Sequence, residues 1–160
     1  MNRPLDDVVV IDLTRLFCTA LSAAFLADFG ARVVRIDSLP PAPHAARSWN
    51  HDADLIHRNK ESIALDLKAE GDRKIFEKLL EKADVVVENF RPGTMEKLGY
   101  GWDTLHARYP QLIYASASGF GHTGPNSKDP AYDMVMQGMG GIMSITGNEG
   151  QPPSRVGMSI

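Results

Sequence analysis

Three cationic side chains follow stretches of sequence that predict β-strands. Lys68 comes after residues 62–67, Arg91 comes after residues 84–90, and Lys97 follows a few positions later. A compact ammonium or a forked guanidinium near the end of a strand is what an anionic group such as a phosphate requires. Taken alone, the three residues fit a solvated surface equally well.

Residue types that attack carbonyl groups are present, but the sequence gives them no partners. Cys18 lies near the start of a predicted helix; no paired base is visible, and a small buried thiol is the commoner case. The segment Ala-Ser-Ala-Ser-Gly at residues 115–119 does not fit the Gly-x-Ser-x-Gly turn of serine hydrolases, which begins with glycine. The histidines show neither His-x-x-x-His spacing nor a cysteine cluster, so we expect no zinc site. They are His44, His51, His57, His106 and His122.

A dinucleotide site is the first candidate for a chain in which strands and helices alternate, because such sheets bind ligands at the carboxyl ends of their strands. The Gly-x-Gly-x-x-Gly turn would follow the first strand, but residues 13–20 contain no glycine. This argues against NAD and FAD. Asp37 ends the second strand, where a ribose-binding acid would lie, but without the glycine turn we expect it to cap or to form an ion pair. Residues 138–141, rich in glycine, predict a flexible turn.

Four methionines fall within ten residues of each other, which suits either a soft wall for an acyl chain or irregular packing. We favour core packing, because methionine commonly fills irregular gaps. The residues are Met134, Met136, Met139 and Met143.

Composition narrows the class of protein. The chain has 160 residues, of which 43% are apolar, and this indicates a compact globular unit. Its formal charge of −3, with lysine and arginine dispersed among carboxylates, argues against a nucleic-acid or anionic-membrane partner. A single cysteine excludes an internal disulfide. No apolar stretch approaches the ~20 residues of a membrane span, and the first residues lack a secretory apolar region, so we expect a cytoplasmic protein.

The elements that must position these residues alternate along the chain. Continuous β-branched segments predict strands covered on both faces of a parallel sheet, at residues 8–13, 32–37 and 84–90. Alternation predicts another strand at residues 62–67, and a further strand is expected at residues 112–117. Apolar periodicity predicts helices at residues 16–29, 69–83, 95–98 and 102–109, and a loose helix within 132–145. We expect Thr14 to cap the first helix and Gly30 to end it. The class is α/β, a Rossmann-like mainly parallel sheet flanked by helices. The proline-rich residues 38–60 predict a functional or mobile loop.

Six ordered motifs resemble those of one known family. They are Val-Ile-Asp-Leu-Thr-Arg at 10–15, residues 27–37, residues 59–68, Ala-Asp-Val-Val-Val-Glu-Asn-Phe-Arg-Pro-Gly at 83–93, Gly-Phe-Gly-His-Thr-Gly-Pro at 119–125, and residues 131–147. In this order they resemble the N-terminal region of the class III coenzyme A transferases of the CaiB/BaiF type. That family includes formyl-CoA and carnitine CoA-transferases and α-methylacyl-CoA racemase. The resemblance covers essentially the whole chain.

The resemblance implies a site for coenzyme A (CoA) or acyl-CoA. Leu16, Phe17 and Cys18 match positions that line the adenine and ribose side, mostly through the backbone, and Leu65 matches another adenine-side contact. Because Ser38 stands where many members place a phosphate-binding arginine, we expect a difference in CoA affinity or pose.

The other implied contacts lie farther along the CoA molecule. Lys68 matches a cation near the CoA phosphates, and Lys97 matches a basic residue that meets phosphate. Asn89 and Phe90 match the wall on the pantetheine side. Tyr132 matches an aromatic position beside the reacting thioester.

The resemblance also implies covalent catalysis by an aspartate. Its carboxylate attacks the acyl-CoA thioester to give an acyl-aspartyl anhydride, then an aspartyl-CoA thioester that passes CoA to the acceptor acid. The order of motifs places this aspartate just beyond Ile160, so we expect no catalytic residue within the chain, which alone should be inactive. Asp133 is interpreted as structural.

Two alternatives to a transferase stay open. Racemases of the family resemble Gly-His-Asp-Ile-Asn-Tyr where residues 131–136 read Ala-Tyr-Asp-Met-Val-Met. Racemisation needs a proton-transfer base, and the matching histidine is here Tyr132, so a transferase is favoured over a racemase-like isomerase. A non-catalytic CoA-binding remnant is the other alternative.

The resemblance also sets the expected domain organisation. Residues 1–160 would form the N-terminal part of the CoA-binding large domain, with the small domain and the C-terminal return absent and the sheet incomplete. A CoA thioester and a carboxylic acid would be the substrates, with no covalently bound cofactor and no metal. Full-length members form homodimers.

Overall fold

The computed structural model describes residues 3–39 and 55–157, and for Phe17 and Cys18 it describes the backbone alone. The strands are β1 Val9–Asp12, β2 Arg32–Ser38, β3 Lys60–Leu65, β4 Val85–Glu88 and β5 Ile113–Ser116. The helices are α1 Phe17–Asp28, α2 Glu70–Leu80, α3 Thr94–Leu98, α4 Trp102–Arg108 and α5 Asp133–Met139, followed by a 3-10 turn at Ile142–Ile145. The predicted elements are all present, although β3 begins and ends two residues earlier than expected. Most of the predicted loop at residues 38–60 lies outside the described residues.

The five strands form one parallel sheet in the order β3-β2-β1-β4-β5. The β-branched segments of β1 and β4 form such strands because both faces of the sheet are covered there, whereas the edge strands β3 and β5 are partly exposed. The predicted α/β class with a parallel sheet is confirmed. The chain first builds outward from β1 to β3 and then crosses to the other side of β1, so the switch point lies between β1 and β4.

Different apolar groups cover the two faces of the sheet. One face packs Ile11, Ile36 and Val86 against Phe76 and Leu80 of α2, and further residues of α3 and α4 join this core. The other face packs against α1 through small side chains that include Ala23 and Ala27. Alanines allow the helix to approach the sheet closely, and the short loop at residues 13–16 connects the carboxyl end of β1 to the N-terminus of α1.

The first helix begins differently from the prediction. Leu16 occupies the N-cap position, and the Thr14 hydroxyl has no hydrogen-bond partner among the described residues. The expected Thr14 cap is therefore wrong, because the loop buries Thr14, whose backbone N–H donates to Asp12. Gly30 ends the helix as predicted: its φ is +113°, and an added Cβ would lie 2.7 Å from Arg3 Cβ.

The chain divides after Ala117 into two compact units. In the second unit, the buried Gln137 amide donates to Asp133 Oδ2 at 2.8 Å and accepts from the Val156 N–H at 3.0 Å. Met134 and Met139 are exposed, so the prediction of core packing is wrong for these two residues. No helix of the described residues has the length and apolar character needed to cross a membrane.

Candidate functional site

Two loops meet at the switch point, and one side chain joins them. Asn89, directly after β4, accepts a hydrogen bond from the Arg15 N–H at 2.7 Å through Oδ1. Its Nδ2 donates to the Arg15 carbonyl at 2.5 Å. The carboxamide therefore pairs with both backbone groups of a residue in the loop after β1. One donor hydrogen and one acceptor lone pair of Asn89 remain for other contacts.

The Arg15 side chain folds back over the same loop. Its Nη1 donates to the carbonyls of Leu13 at 3.0 Å and Thr14 at 2.9 Å, and its Cζ lies 5.5 Å from the centre of the Phe90 ring. Burial lowers the pKa of the Arg15 guanidinium. Sequence reasoning did not single out Arg15, because its partners are backbone groups that a motif does not reveal.

Leu16 adopts a backbone conformation that side chains rarely occupy. Its φ is 65° and its ψ is −172°, a region used almost only by glycine, at a cost of about 1–3 kcal/mol. The residue is 64% exposed and immediately precedes α1. The first N–H groups of a helix have no partner within the helix. The backbone N–H groups of Phe17 and Cys18, at the start of α1, are therefore donors that suit an electron-rich ligand.

A buried ion pair supports the loop after β1. Lys60 Nζ lies 2.7 Å from Asp12 Oδ2, and the two side chains are 1% and 0% exposed. The same ammonium donates to the Ala20 carbonyl of α1 at 2.7 Å, and Asp12 Oδ1 accepts the Thr14 N–H at 2.8 Å. Burial lowers the pKa of Lys60, and Asp12 opposes that shift. The sequence signal for this pair was the acid Asp12 within a β-branched strand, and sequence reasoning did not recognise it.

A second buried carboxylate supports the loop after β4. Glu88 accepts hydrogen bonds from the Phe90 N–H at 2.7 Å, from the Tyr114 hydroxyl at 3.4 Å and from the Ser116 hydroxyl. Burial and the nearby Glu88 raise the pKa of Tyr114. The network fixes the backbone of Phe90, one of the predicted contacts, and it was also missed by sequence reasoning.

Lys68, Arg91 and Lys97 are exposed. Within residues 3–39 and 55–157, none of their side chains forms an ion pair or a hydrogen bond. Positive charge that is not neutralised internally is available to an anion. Their predicted contacts with phosphate stay predictions.

The remaining predicted residues lie in different places. Leu65 ends β3, but its side chain packs in the core. Tyr132 belongs to the second unit and is 61% exposed. The side chains of Phe17 and Cys18 lie outside the described residues. Asp37 forms the expected ion pair, with Arg35 at 2.7 Å.

His57 lies among the charges around β1 and β2. Its Nδ1 is buried and finds no hydrogen-bond partner among the described residues. Burial, followed by the charges of Arg35 and Lys60, lowers the pKa of His57 to about 4. Within the described residues, no group of three His, Cys, Asp or Glu side chains could hold a metal ion.

Comparisons with known proteins agree on one family. The model of CoA-transferase family III matches residues 5–160. The acetyl-CoA:oxalate CoA-transferase of Acetobacter aceti is 45% identical, over 96% of this chain and 41% of its own length. The succinyl-CoA–D-citramalate CoA-transferase of Chloroflexus aurantiacus is 39% identical, over 99% of this chain and 41% of its own length.

Solved structures give the same result. A CaiB/BaiF family protein from Brucella suis superimposes with a TM-score of 0.90 and 37% identity, over 99% of this chain and 45% of its own. The chain thus spans less than half the length of these relatives. Because the family model covers almost every residue, the chain belongs to CoA-transferase family III.

Proposed function

We propose that the carboxyl edge of the sheet binds CoA thioesters as part of an acyl-CoA:carboxylate CoA-transferase. The observation that carries this proposal is the pairing of Asn89 with Arg15, which holds an exposed, strained Leu16 at the start of α1. Strained backbone at a ligand site is commonly maintained by surrounding contacts of this kind. Lys68 and Lys97, without internal partners among the described residues, supply positive charge for the phosphates.

The names of the relatives support this substrate class. One is named for acetyl-CoA and oxalate, and the other for succinyl-CoA and D-citramalate. In both names a CoA thioester is paired with a carboxylic acid. By inference, this chain also serves the transfer of CoA between carboxylates.

The finer parts of the proposal concern the reaction. An aspartate beyond Ile160 would form the acyl anhydride and then the aspartyl-CoA thioester, which splits one difficult exchange into easier steps. Residues 1–160 would bind and orient CoA as the N-terminal part of the large domain, without catalysing transfer alone. We further propose a cytoplasmic homodimer for the full-length protein. The racemase alternative is not favoured, because Tyr132 replaces the histidine base.

Thermal unfolding of the chain with and without CoA tests the proposal, with NAD as a matched nucleotide control. A ligand that binds only the native state at 100 times its Kd stabilises it by about 2.7 kcal/mol. We expect CoA to raise the unfolding midpoint and NAD to leave it unchanged. A cooperative transition that CoA does not move would contradict the proposal.

A further inference from the structure

Arg73, on α2, contacts two carbonyl groups from different segments of the chain. Its Nη1 donates to the Leu98 carbonyl at the end of α3 at 2.7 Å, and a weaker contact of 3.4 Å joins the same nitrogen to the Leu67 carbonyl. One guanidinium therefore connects the loop after β3 to the end of α3.

Two neighbours fix the position of this guanidinium. Its Cζ lies 4.7 Å from the centre of the Tyr100 ring, and Tyr100 is fully buried with its ring edge-to-face against Phe76. Gly99 turns the chain at a φ of +83°, and an added Cβ would lie 3.3 Å from Arg73 Nη2. Because the guanidinium is held between a buried ring and a glycine turn, its side chain loses little further conformational freedom when it binds the two carbonyl groups.

The two carbonyls belong to the immediate neighbours of two predicted phosphate contacts. Leu67 precedes Lys68, and Leu98 follows Lys97. Both lysines are exposed and have no side-chain partner in the described part of the chain. The Arg73 charge also offsets the negative end of α3 beside Lys97, which would otherwise disfavour an anion there.

We propose that Arg73 is a positioning residue that brings Lys68 and Lys97 together as a two-cation site for a phosphate of CoA. The inference rests on the proposed function and adds to it a residue that does not touch the ligand. Two like charges held near each other repel, and a doubly charged phosphate between them offsets this repulsion. The gain in affinity comes from preorganisation rather than from a new contact.

Calorimetric titration of CoA and of pantetheine, which lacks phosphate, into variants of the full chain tests the inference. We expect Arg73→Met to weaken CoA binding about 10-fold, the scale on which one ligand-orienting interaction acts, and to leave pantetheine binding unchanged. In a Lys68→Ala/Lys97→Ala background, the same substitution should have no further effect, because Arg73 is inferred to act on CoA only through these two lysines. Arg108→Met is the matched control: Arg108 pairs with Glu77 on the same helix as Arg73 and should not change CoA affinity.

Loss of folding is separated from loss of positioning by Arg73→Lys, which keeps a positive charge but lacks the planar guanidinium that lies over the Tyr100 ring. We expect this variant to keep a cooperative unfolding transition and to bind CoA with intermediate affinity. The inference would be overturned if Arg73→Met weakened CoA binding equally with and without the two lysines, or weakened pantetheine binding as much as CoA binding. In either case, CoA binding by the wild-type chain would leave the proposed function standing. Failure of the wild-type chain to bind CoA would overturn both.

Discussion

The Asn89 carboxamide pairs with the N–H and the carbonyl of Arg15, although the two residues are 74 positions apart in the sequence. The contact joins the loops after β1 and β4, which leave the sheet on opposite sides of the topological switch point. It takes the place of a pair of backbone hydrogen bonds beyond the ends of the strands. The loop that presents Leu16 is thereby fixed before a ligand arrives.

Replacing Asn89 should loosen this loop and weaken CoA binding together. Asn89→Asp keeps the acceptor for the Arg15 N–H but loses the donor to its carbonyl, and it should cost about 1–3 kcal/mol of stability. Urea unfolding measures the loss, and calorimetry measures the affinity. Asn126→Asp is the matched control, because Asn126 is exposed. Equal stability of Asn89→Asp and the wild type would show that the pairing contributes nothing.

Relieving the strain at Leu16 should stabilise the fold. Leu16→Gly removes a backbone strain of about 1–3 kcal/mol. Glycine also loses more backbone entropy on folding, which costs about 0.5–1 kcal/mol, so we expect the free energy of unfolding to rise by about 1 kcal/mol. Leu16→Ala keeps the strain and serves as the reference. Chemical denaturation of the two variants gives the comparison, and a glycine variant no more stable than the alanine variant would argue against stored strain.

The buried pair of Asp12 and Lys60 should behave differently from a surface pair. Lys60→Met leaves a buried carboxylate unpaired and should cost about 3–5 kcal/mol, while Asp12→Asn/Lys60→Met should cost less than the sum of its two single substitutions. Lys74→Met, which breaks the exposed pair with Glu70, is the control and should cost less than about 1 kcal/mol. Additive costs at the buried pair in denaturant titrations would contradict the assignment.

His57 should make the fold sensitive to acid. Its folded pKa of about 4 lies below the usual value of 6.5, so the unfolded chain binds more protons between these two pH values. Stability contributed by neutral His57 is fully present above pH 6.5 and is lost as the pH falls toward 4. We expect His57→Gln to flatten this part of a stability-against-pH curve relative to the wild type. An unaltered slope in His57→Gln would refute the assignment.

The sequence predicted the elements better than the contacts between them. The β-branched segments and the glycine after α1 carry local signals, and the structure agrees with them at β1, β2 and Gly30. The Thr14 cap failed because a local side-chain contact decided the path of the loop: the Thr14 N–H donates to Asp12, two residues earlier.

Three of the missed residues share one property, which is that at least one partner of each is distant in the chain. Arg73, Asp12 and Glu88 act through groups that the fold brings close, and no spacing rule encodes that proximity in one sequence. The family resemblance supplied Asn89 as a ligand contact, and the structure adds its bonds to Arg15.

Hydrogen–deuterium exchange of the chain with and without CoA tests the central claim most directly, because it locates the ligand. We predict slower exchange on CoA addition at residues 16–19 and 89–93, with no change in α4. Unaltered exchange in both loops, or protection confined to α4, would contradict a CoA site at the carboxyl edge of the sheet.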